Sequence, residues 1–315
     1  LRVLFICSGN SKAIISPVIK NQAEALEAEG VLVDIYAIRG KGLLVYLKHI
    51  FLLKKYLIGK TYDIFHAHYS LSAFVATIAG SKPLVVSLMG SDVHSGRFIL
   101  NIIQYFSKKR WNRLIVKSPS MKELLRHENA HVIPNGVDLL VFKPFDDLSL
   151  KMKFGFSINK KILLFLADPG RQVKNIILAE KAYKILARTD VELQIKYNLP
   201  KDEIPEILNA ADVILLTSLW EGSPNVIKEA MACNKPVVAT NVGDIVWLFG
   251  DKQGYYITGF DPADVAEKIS LAIEFVKNYG KTSGRERIIE MGLDSATFAK
   301  RVIGIYQSVF ENNAE

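Results

Sequence analysis

The chain has 315 residues and a formal net charge of +8, with 50% hydrophobic and 23% charged residues. At ~100–200 residues per domain this length predicts two domains, and the composition excludes disorder, collagen-like repeats and a coiled coil. No apolar run reaches the ~18–20 residues of a membrane span, and two cysteines, Cys7 and Cys233, are too few for a disulfide framework or a metal cluster, which points to a reducing, intracellular compartment.

Short apolar runs alternate with helical patterns. The start, Leu1 to Cys7, is too short an apolar stretch for a secretory signal and reads as a first strand, Val3–Cys7, running into the turn Ser8-Gly9-Asn10. Further strands are predicted at Leu32–Ala37, Asp63–His66, Pro83–Leu88 and Arg113–Lys117. A second series follows at Ile162–Leu166, Val191–Tyr197, Val213–Thr217, Pro236–Thr240 and Tyr255–Ile257. Helices lie between them, among others at Ser16–Glu29, Asn175–Ala187 and Pro262–Asn278, and a last one at Ser295–Phe310. Apolar strands separated by helices predict parallel sheets covered on both faces, so the fold class is α/β with two Rossmann-like domains. Pro134-Asn135-Gly136-Val137-Asp138 through Pro144, continued by Asp146-Asp147, marks the linker. The expected domains are residues 1–142 and 143–294, with the C-terminal helix, 295–315, packing back on the first.

The charge is uneven. Residues 1–142 hold 18 Lys and Arg against 9 Asp and Glu, while residues 143–315 hold 22 against 23. Nucleic acid, an anionic membrane surface or a phosphate-bearing ligand would each favour such a basic half, as would a basic surface with no specific partner. Residues 41–60 carry Lys41, Lys48, Lys54, Lys55 and Lys60 and no acid, interleaved with Leu, Ile, Tyr and Phe. A helix would stack Lys41, Lys48 and Lys55 in one stripe, as in a helix lying in a bilayer interface, or as solvated lysines on a helix packed against a sheet. Residues 108–117 add five more cations around Trp111. No helix-turn-helix, zinc-finger or aromatic RNA-binding signature appears, so nucleic acid is not an expected partner.

In an open parallel sheet, ligands bind outside the carboxyl ends of the strands. The turn after the first strand has one glycine, Gly9, instead of the three of a dinucleotide fingerprint, which disfavours a nicotinamide dehydrogenase. Gly9 either lets a ligand approach backbone N–H groups or is a plain turn residue. The informative stretch is Trp220-Glu221-Gly222-Ser223-Pro224-Asn225-Val226-Ile227-Lys228-Glu229-Ala230-Met231-Ala232, just after a strand. Ser223 suits an N-cap and Pro224 the first helical position, so a helix is predicted to begin there, with its N–H groups and positive dipole end available to a diphosphate. Glu221 precedes the cap and Glu229 lies two turns in. Two such carboxylates can accept from paired sugar hydroxyls, or can be an ordinary loop acid and a solvated helix acid.

This stretch resembles the Glu-x7-Glu motif of the retaining glycosyltransferases of family 4, which have the GT-B fold. Glu221 and Glu229 have that spacing, and Lys235-Pro236-Val237-Val238-Ala239-Thr240 extends the match. Ser16-Pro17, Asn21 to Leu26, Asp63 to His68, Gly90-Ser91-Asp92, Val132 to Asp138, Lys174-Asn175 and Asn209 to Val213 are similar to other family segments, in the same order. The resemblance implies two Rossmann-like domains facing a cleft, the first taking a sugar or lipid-linked glycan acceptor and the second a nucleotide-sugar donor. It implies that Glu229 binds ribose hydroxyls, Glu221 the donor sugar, and Arg171 and Lys174 the diphosphate. Ser223, Pro224 and Asn225 line the phosphate and sugar site, with Pro224 only shaping the turn, and Asn198 and Leu199 lie near the base. Gly9 is a further donor contact, and His68, Asp92 and Ser16 are candidate acceptor or sugar contacts.

The diphosphate leaves as an anion, so stabilising its growing charge matters more than protonating it, and preaimed cations and N–H dipoles supply that term. The family retains anomeric configuration, assigned by many to front-face attack with no covalent enzyme nucleophile. The chain has no Asp-x-Asp motif, and no cofactor or metal is expected. Two departures stand out. Many members have a histidine before the Gly-x-Asp stretch, where this chain has Met89, and the spacing from Arg171 to Lys174 is shorter than usual. These departures motivate the alternative of a non-catalytic GT-B-like sugar-nucleotide-binding or scaffold protein; an epimerase or phosphorylase on the same fold is a third reading. A cytoplasmic enzyme of cell-surface glycan synthesis, peripheral on the inner face of the membrane, is the expectation that combines these features.

Overall fold

The computed structural model describes residues 1–10, 15–93, 96–145 and 149–314; Asp146-Asp147 lies outside the described residues. In chain order the elements are β1 (Arg2–Ser8), α1 (Pro17–Ala28), β2 (Leu32–Ile38), α2 (Leu43–Leu57), β3 (Ile64–His68), α3 (Ser70–Ala79), β4 (Leu84–Ser87), α4 (Arg97–Lys109), β5 (Arg113–Val116), α5 (Pro119–Leu125) and β6 (His131–Val132). There follow α6 (Ser149–Lys153), β7 (Lys161–Leu166), α7 (Ile176–Leu186), β8 (Val191–Lys196), α8 (Glu203–Ala210), β9 (Val213–Leu216), α9 (Asn225–Ala232), β10 (Val237–Thr240), α10 (Ile245–Phe249), β11 (Tyr255–Thr258), α11 (Pro262–Tyr279), α12 (Gly284–Glu290) and α13 (Ser295–Ala314).

The chain divides into two compact units, Leu1–Gly136 with Ser295–Glu315, and Val137–Asp294. The division lies inside the Pro134–Pro144 stretch but ahead of residue 142. Residues 137–142 join the second unit because Val137 N–H donates to the Leu293 carbonyl at 2.8 Å and Phe142 is buried in that unit's core.

The first unit is a six-stranded parallel sheet in the order β2-β1-β3-β4-β5-β6. Its strands are apolar on both faces. Leu4 and Ile6 point into a core shared with α2, α3, α4 and α5, while Val3, Phe5 and Cys7 point into a second core with α1 and α13. That alternation is the period of two of a strand buried on both sides. Tyr306 of α13 is fully buried, and its hydroxyl lies 2.6 Å from His66 Nδ1 in β3, tying the last helix to the sheet. Helix α2 begins at Leu43, so Lys41 precedes it and the lysine stripe is Lys48 and Lys55. Only Ile50 and Leu53 of α2 are buried, and its outer side exposes Leu44 at 82% and Phe51 at 73%.

The second unit is a five-stranded parallel sheet in the order β11-β10-β9-β7-β8. Ile162 and Leu164 face one core and Leu163 and Phe165 the other. In both sheets the first strand in sequence lies between the second and third. The chain therefore leaves in opposite directions on either side of one strand pair, β1/β3 in the first unit and β7/β9 in the second. At such a switch point the loops diverge and open a crevice at the carboxyl ends of the strands.

Candidate functional site

In the second unit, two loops leave the carboxyl ends of the switch-point strands β7 and β9. The loop after β7 carries a single 3₁₀ turn, Gln172–Lys174, with Arg171 at its N-cap and Lys174 at its end. The loop after β9 carries Ser218 and Glu221 and enters α9. Backbone and side chains stitch the two together. Leu219 N–H donates to the Val173 carbonyl at 2.8 Å, and the Thr217 hydroxyl donates to the carbonyls of Lys174 and Asn175 at 3.1 and 2.9 Å. Lys174 Nζ then lies 2.5 Å from Glu221 Oε1, and the Ser218 hydroxyl donates to the same oxygen at 2.7 Å. The two side chains are only 13% and 16% exposed, so their attraction is screened far less than that of a surface pair. Two residues that the spacing places 47 positions apart thus share one hydrogen bond.

Helix α9 begins at Asn225, with Pro224 at the N-cap in an extended conformation (φ −70°, ψ 116°) and no side-chain cap. This corrects the expected cap by one residue. Pro224 takes an extended ψ, so the first helical turn starts after it, and the Ser223 hydroxyl is turned inward without a hydrogen-bond partner among the described residues. Ser223, Pro224 and Asn225 therefore line the entry to α9, as expected, in different roles.

Beneath that entry sits a group of charges. Lys228 is fully buried, and burial pulls its pKa down to about 8 against the opposing pull of Asp244 and Glu229. Glu229 retains partial exposure, yet the protein around its carboxyl pushes its pKa up to about 7, with Lys228 opposing. Asp244 is 4% exposed and is pushed up to about 6 by burial, with Lys228 opposing and Glu221 adding to the rise. Neither carboxylate oxygen of Asp244 has a hydrogen-bond partner among the described residues. Asp244 thus feels Lys228 and Glu221, and Lys228 in turn feels Glu229. It follows Gly243, whose φ of +61° and whose missing Cβ, 2.6 Å from the Gly222 carbonyl, let the chain pass directly under the Glu221–Gly222 loop. Sequence reasoning singles out none of Ser218, Lys228, Gly243 or Asp244. The available signal is the Gly-Asp pair after β10 and a lysine directly beside Glu229.

The remaining expected residues are more scattered. Arg171 is exposed, and its guanidinium makes no hydrogen bond or ion pair among the described residues. Asn198 follows β8, exposed and left-handed at φ 58°, while Leu199 packs against the unit's core. In the first unit, Gly9 does not present a free N–H: it donates to the Ile38 carbonyl at 2.7 Å and extends the β1–β2 ladder. A Cβ there would lie 3.0 Å from Ala37 Cβ, so any larger residue would have to push its neighbours aside. His68 closes β3 but is fully buried and offers no surface for contact; it stacks on His66 at 4.3 Å, and burial with the nearby Lys117 lowers its pKa to about 3. Asp92 is buried too, and its carboxylate accepts the N–H groups of Met89 and Gly90 at 3.0–3.2 Å, holding the turn after β4. Ser16 is partly exposed at the N-cap of α1, its carbonyl accepting from Ile19 and Lys20.

Comparison with known proteins agrees with this layout. The family model described as Glycosyltransferase Family 4 matches residues 15–140, and that of Glycosyl transferases group 1 matches residues 162–274. The UDP-Gal:alpha-D-GlcNAc-diphosphoundecaprenol alpha-1,3-galactosyltransferase of Escherichia coli is 28% identical over 62% of this chain and 62% of its own length. The N-acetyl-alpha-D-glucosaminyl L-malate synthase of Bacillus anthracis is 25% identical over 79% of this chain and 74% of its own. The chain spans about three fifths of the length of several such relatives. Among solved structures, the sucrose-phosphate synthase of Thermosynechococcus elongatus superposes with a TM-score of 0.81 at 16% identity, covering 99% of both chains. HepE of Anabaena, solved in complex with UDP and glucose, gives a TM-score of 0.77 at 18% identity over 98% of this chain and all of its own. The fold is GT-B, and by the two models that between them take in most of its length the chain belongs to glycosyltransferase family 4.

Proposed function

We propose that the protein is a retaining glycosyltransferase that moves a sugar from a nucleoside diphosphate sugar to an acceptor. The observation that carries this reading is the Lys174–Glu221 pair beside the entry to α9, with Glu229 about one turn into that helix. In this reading Glu229 accepts the ribose hydroxyls and Glu221 the hydroxyls of the donor sugar. Lys174 is held in place by Glu221 until the diphosphate takes over as its counter-charge. Arg171, exposed and without an ion pair among the described residues, moves in as a second cation, and the backbone at Ser223–Asn225 adds the helix dipole. Together these stabilise the departing diphosphate without an external general acid and without a metal ion. No covalent intermediate on the enzyme is invoked, so configuration is retained by attack on the face that the diphosphate leaves. Asn198 and Leu199, on the neighbouring strand end, are assigned to the base.

The donor is a UDP-sugar in this reading, supported by the UDP and UDP-glucose complexes of HepE. The first unit takes the acceptor, with Ser16 the partly exposed candidate. The name of the Escherichia coli relative supports a lipid-linked acceptor and a role in cell-surface glycan assembly on the cytoplasmic face of a membrane. Helix α2 supports peripheral attachment there. Residues 35–62 contain no acid, and its outer side mixes Leu44, Phe51 and Leu52 with Lys48 and Lys55, the pattern of an interfacial helix. No helix of the described residues is long and apolar enough to cross a membrane. A thermal-shift screen of UDP-, GDP- and ADP-sugars, followed by product analysis with undecaprenyl-diphosphate-linked sugars, tests the proposal. Stabilisation by a UDP-sugar and formation of an α-linked product are expected; failure of every sugar nucleotide to stabilise the protein overturns it.

A further inference from the structure

A second concavity lies in the first unit, at the opposite edge of its sheet from the strand carboxyl ends. It has a volume of about 920 Å³ and is bounded by the last turn of α4, the start of β5, the end of α5 and the start of β6. Lys108, Arg113, Lys122 and Arg126 line it, opposed by a single carboxylate, Glu128. None of these four cations forms an ion pair among the described residues. With His127 and His131 neutral, the lining carries a net charge of +3.

Helix capping accounts for only part of this. Lys108 and Lys122 sit in the last turns of their helices, where they offset the carbonyl dipole. Arg113 and His131 open strands β5 and β6 and have no such task. Arg126, left-handed at φ 48°, lies at the cap of α5 and also borders an adjoining trough with Arg97 and Glu123. The floor is rigid: Trp111 is buried, and its indole N–H donates to the Thr77 hydroxyl at 3.0 Å. The positive field is felt inside the groove. The His131 pKa is lowered first by burial and then by Arg113, Lys122 and His127, so like charges crowd it.

We propose that this groove is an anion site for a phosphate-bearing ligand, separate from the sugar-nucleotide site. A carboxylate would neutralise one of the three excess charges, whereas a phosphate neutralises about two and a diphosphate more, and both present oxygens to the forked donors of Arg113 and Arg126. The chemistry is shared by a soluble phosphate ester and a lipid headgroup phosphate.

Histidine-labelled full-length protein, titrated with inorganic phosphate at constant ionic strength, provides the test. Arg113, Lys122 and His127 act on His131, and Lys108, Arg126 and Glu128 line the same groove, so a bound anion offsets much of the positive field around it. The His131 ring resonance is expected to shift saturably at millimolar phosphate, with its pKa rising by ~1 unit. K122E/R126E is expected to abolish the shift, and Arg126→Lys to keep it. Because the readout is local to His131, phosphate held in the sugar-nucleotide site does not mimic it. The melting temperature and the His66 resonance report that the variants remain folded. Sedimentation with phosphatidylglycerol vesicles then identifies the source. Loss of pelleting in K122E/R126E assigns the site to lipid phosphate, and unchanged pelleting with loss of the phosphate shift assigns it to a soluble ligand. A His131 resonance that does not move with phosphate, or that moves equally in K122E/R126E, overturns the proposal.

Discussion

Lys174 Nζ and Glu221 Oε1 lie 2.5 Å apart, joining the loops that leave the two switch-point strands of the second unit. The pair sets a cation and a carboxylate side by side on one surface, with Ser218 holding the same carboxylate oxygen; in the proposed function the first meets a diphosphate and the second a sugar. Replacing Glu221 by Gln keeps the Ser218 hydrogen bond but removes the charge. Turnover is expected to fall by ~10²–10³, the effect of losing one preorganised stabilising group, with the melting temperature little changed. Steady-state kinetics with the preferred donor check this.

Gly243→Ala tests the packing beneath that loop. Its Cβ would lie 2.6 Å from the Gly222 carbonyl and 3.0 Å from that of Glu221, at a φ of +61°. A cost of about 1–3 kcal/mol is expected, together with a raised KM for the donor. Gly30→Ala, at φ +84° with open space around its Cβ, carries the backbone strain alone and should leave KM unchanged.

Most of the architecture was legible in the sequence, because both sheets are built from apolar strands whose alternation survives in each core, as at Val3–Cys7 and Ile162–Phe165. The two-residue strand β6 was not, since it is too short to be periodic. Glu221, Glu229 and Lys174 could be picked out from spacing and resemblance. Their partners could not: Asp244 and Gly243 meet the α9 entry only through tertiary packing, which no local pattern encodes. His68 and Asp92 show the converse. The resemblance suggested ligand contacts for both, yet in this structure one is stacked in the core and the other holds its own turn. Ser223 as N-cap failed by a single residue because Pro224 adopts an extended ψ.

Lys228 and Asp244 are expected to behave as a coupled pair. Asp244→Asn leaves Lys228 fully buried with one counter-charge fewer, and a loss of stability is expected. Lys228→Met combined with Asp244→Asn should recover much of that loss, since replacing both charges removes the uncompensated one. Urea unfolding of the two single variants and the double variant measures the coupling.

The pKa of Glu229, raised from 4.5 to about 7, fixes the sign of a pH effect. Between these values the folded state holds more protons than the unfolded one, so stability declines as pH rises through the window and the contribution is lost above about 7. Asp244 acts in the same direction between 3.8 and about 6. Glu229→Gln is expected to lose less stability than the parent between about pH 5 and about pH 8. Parallel unfolding curves for the two proteins would contradict the assignment.

The central claim is that Glu229 and Glu221 hold opposite ends of one sugar nucleotide. Calorimetric titration of a UDP-sugar into the parent protein, Glu221→Gln and Glu229→Ala measures it directly. The account predicts that Glu229→Ala abolishes binding of both UDP and the UDP-sugar in a folded protein. Glu221→Gln should weaken the UDP-sugar while leaving UDP itself bound. Undiminished affinity of Glu229→Ala for UDP would contradict it.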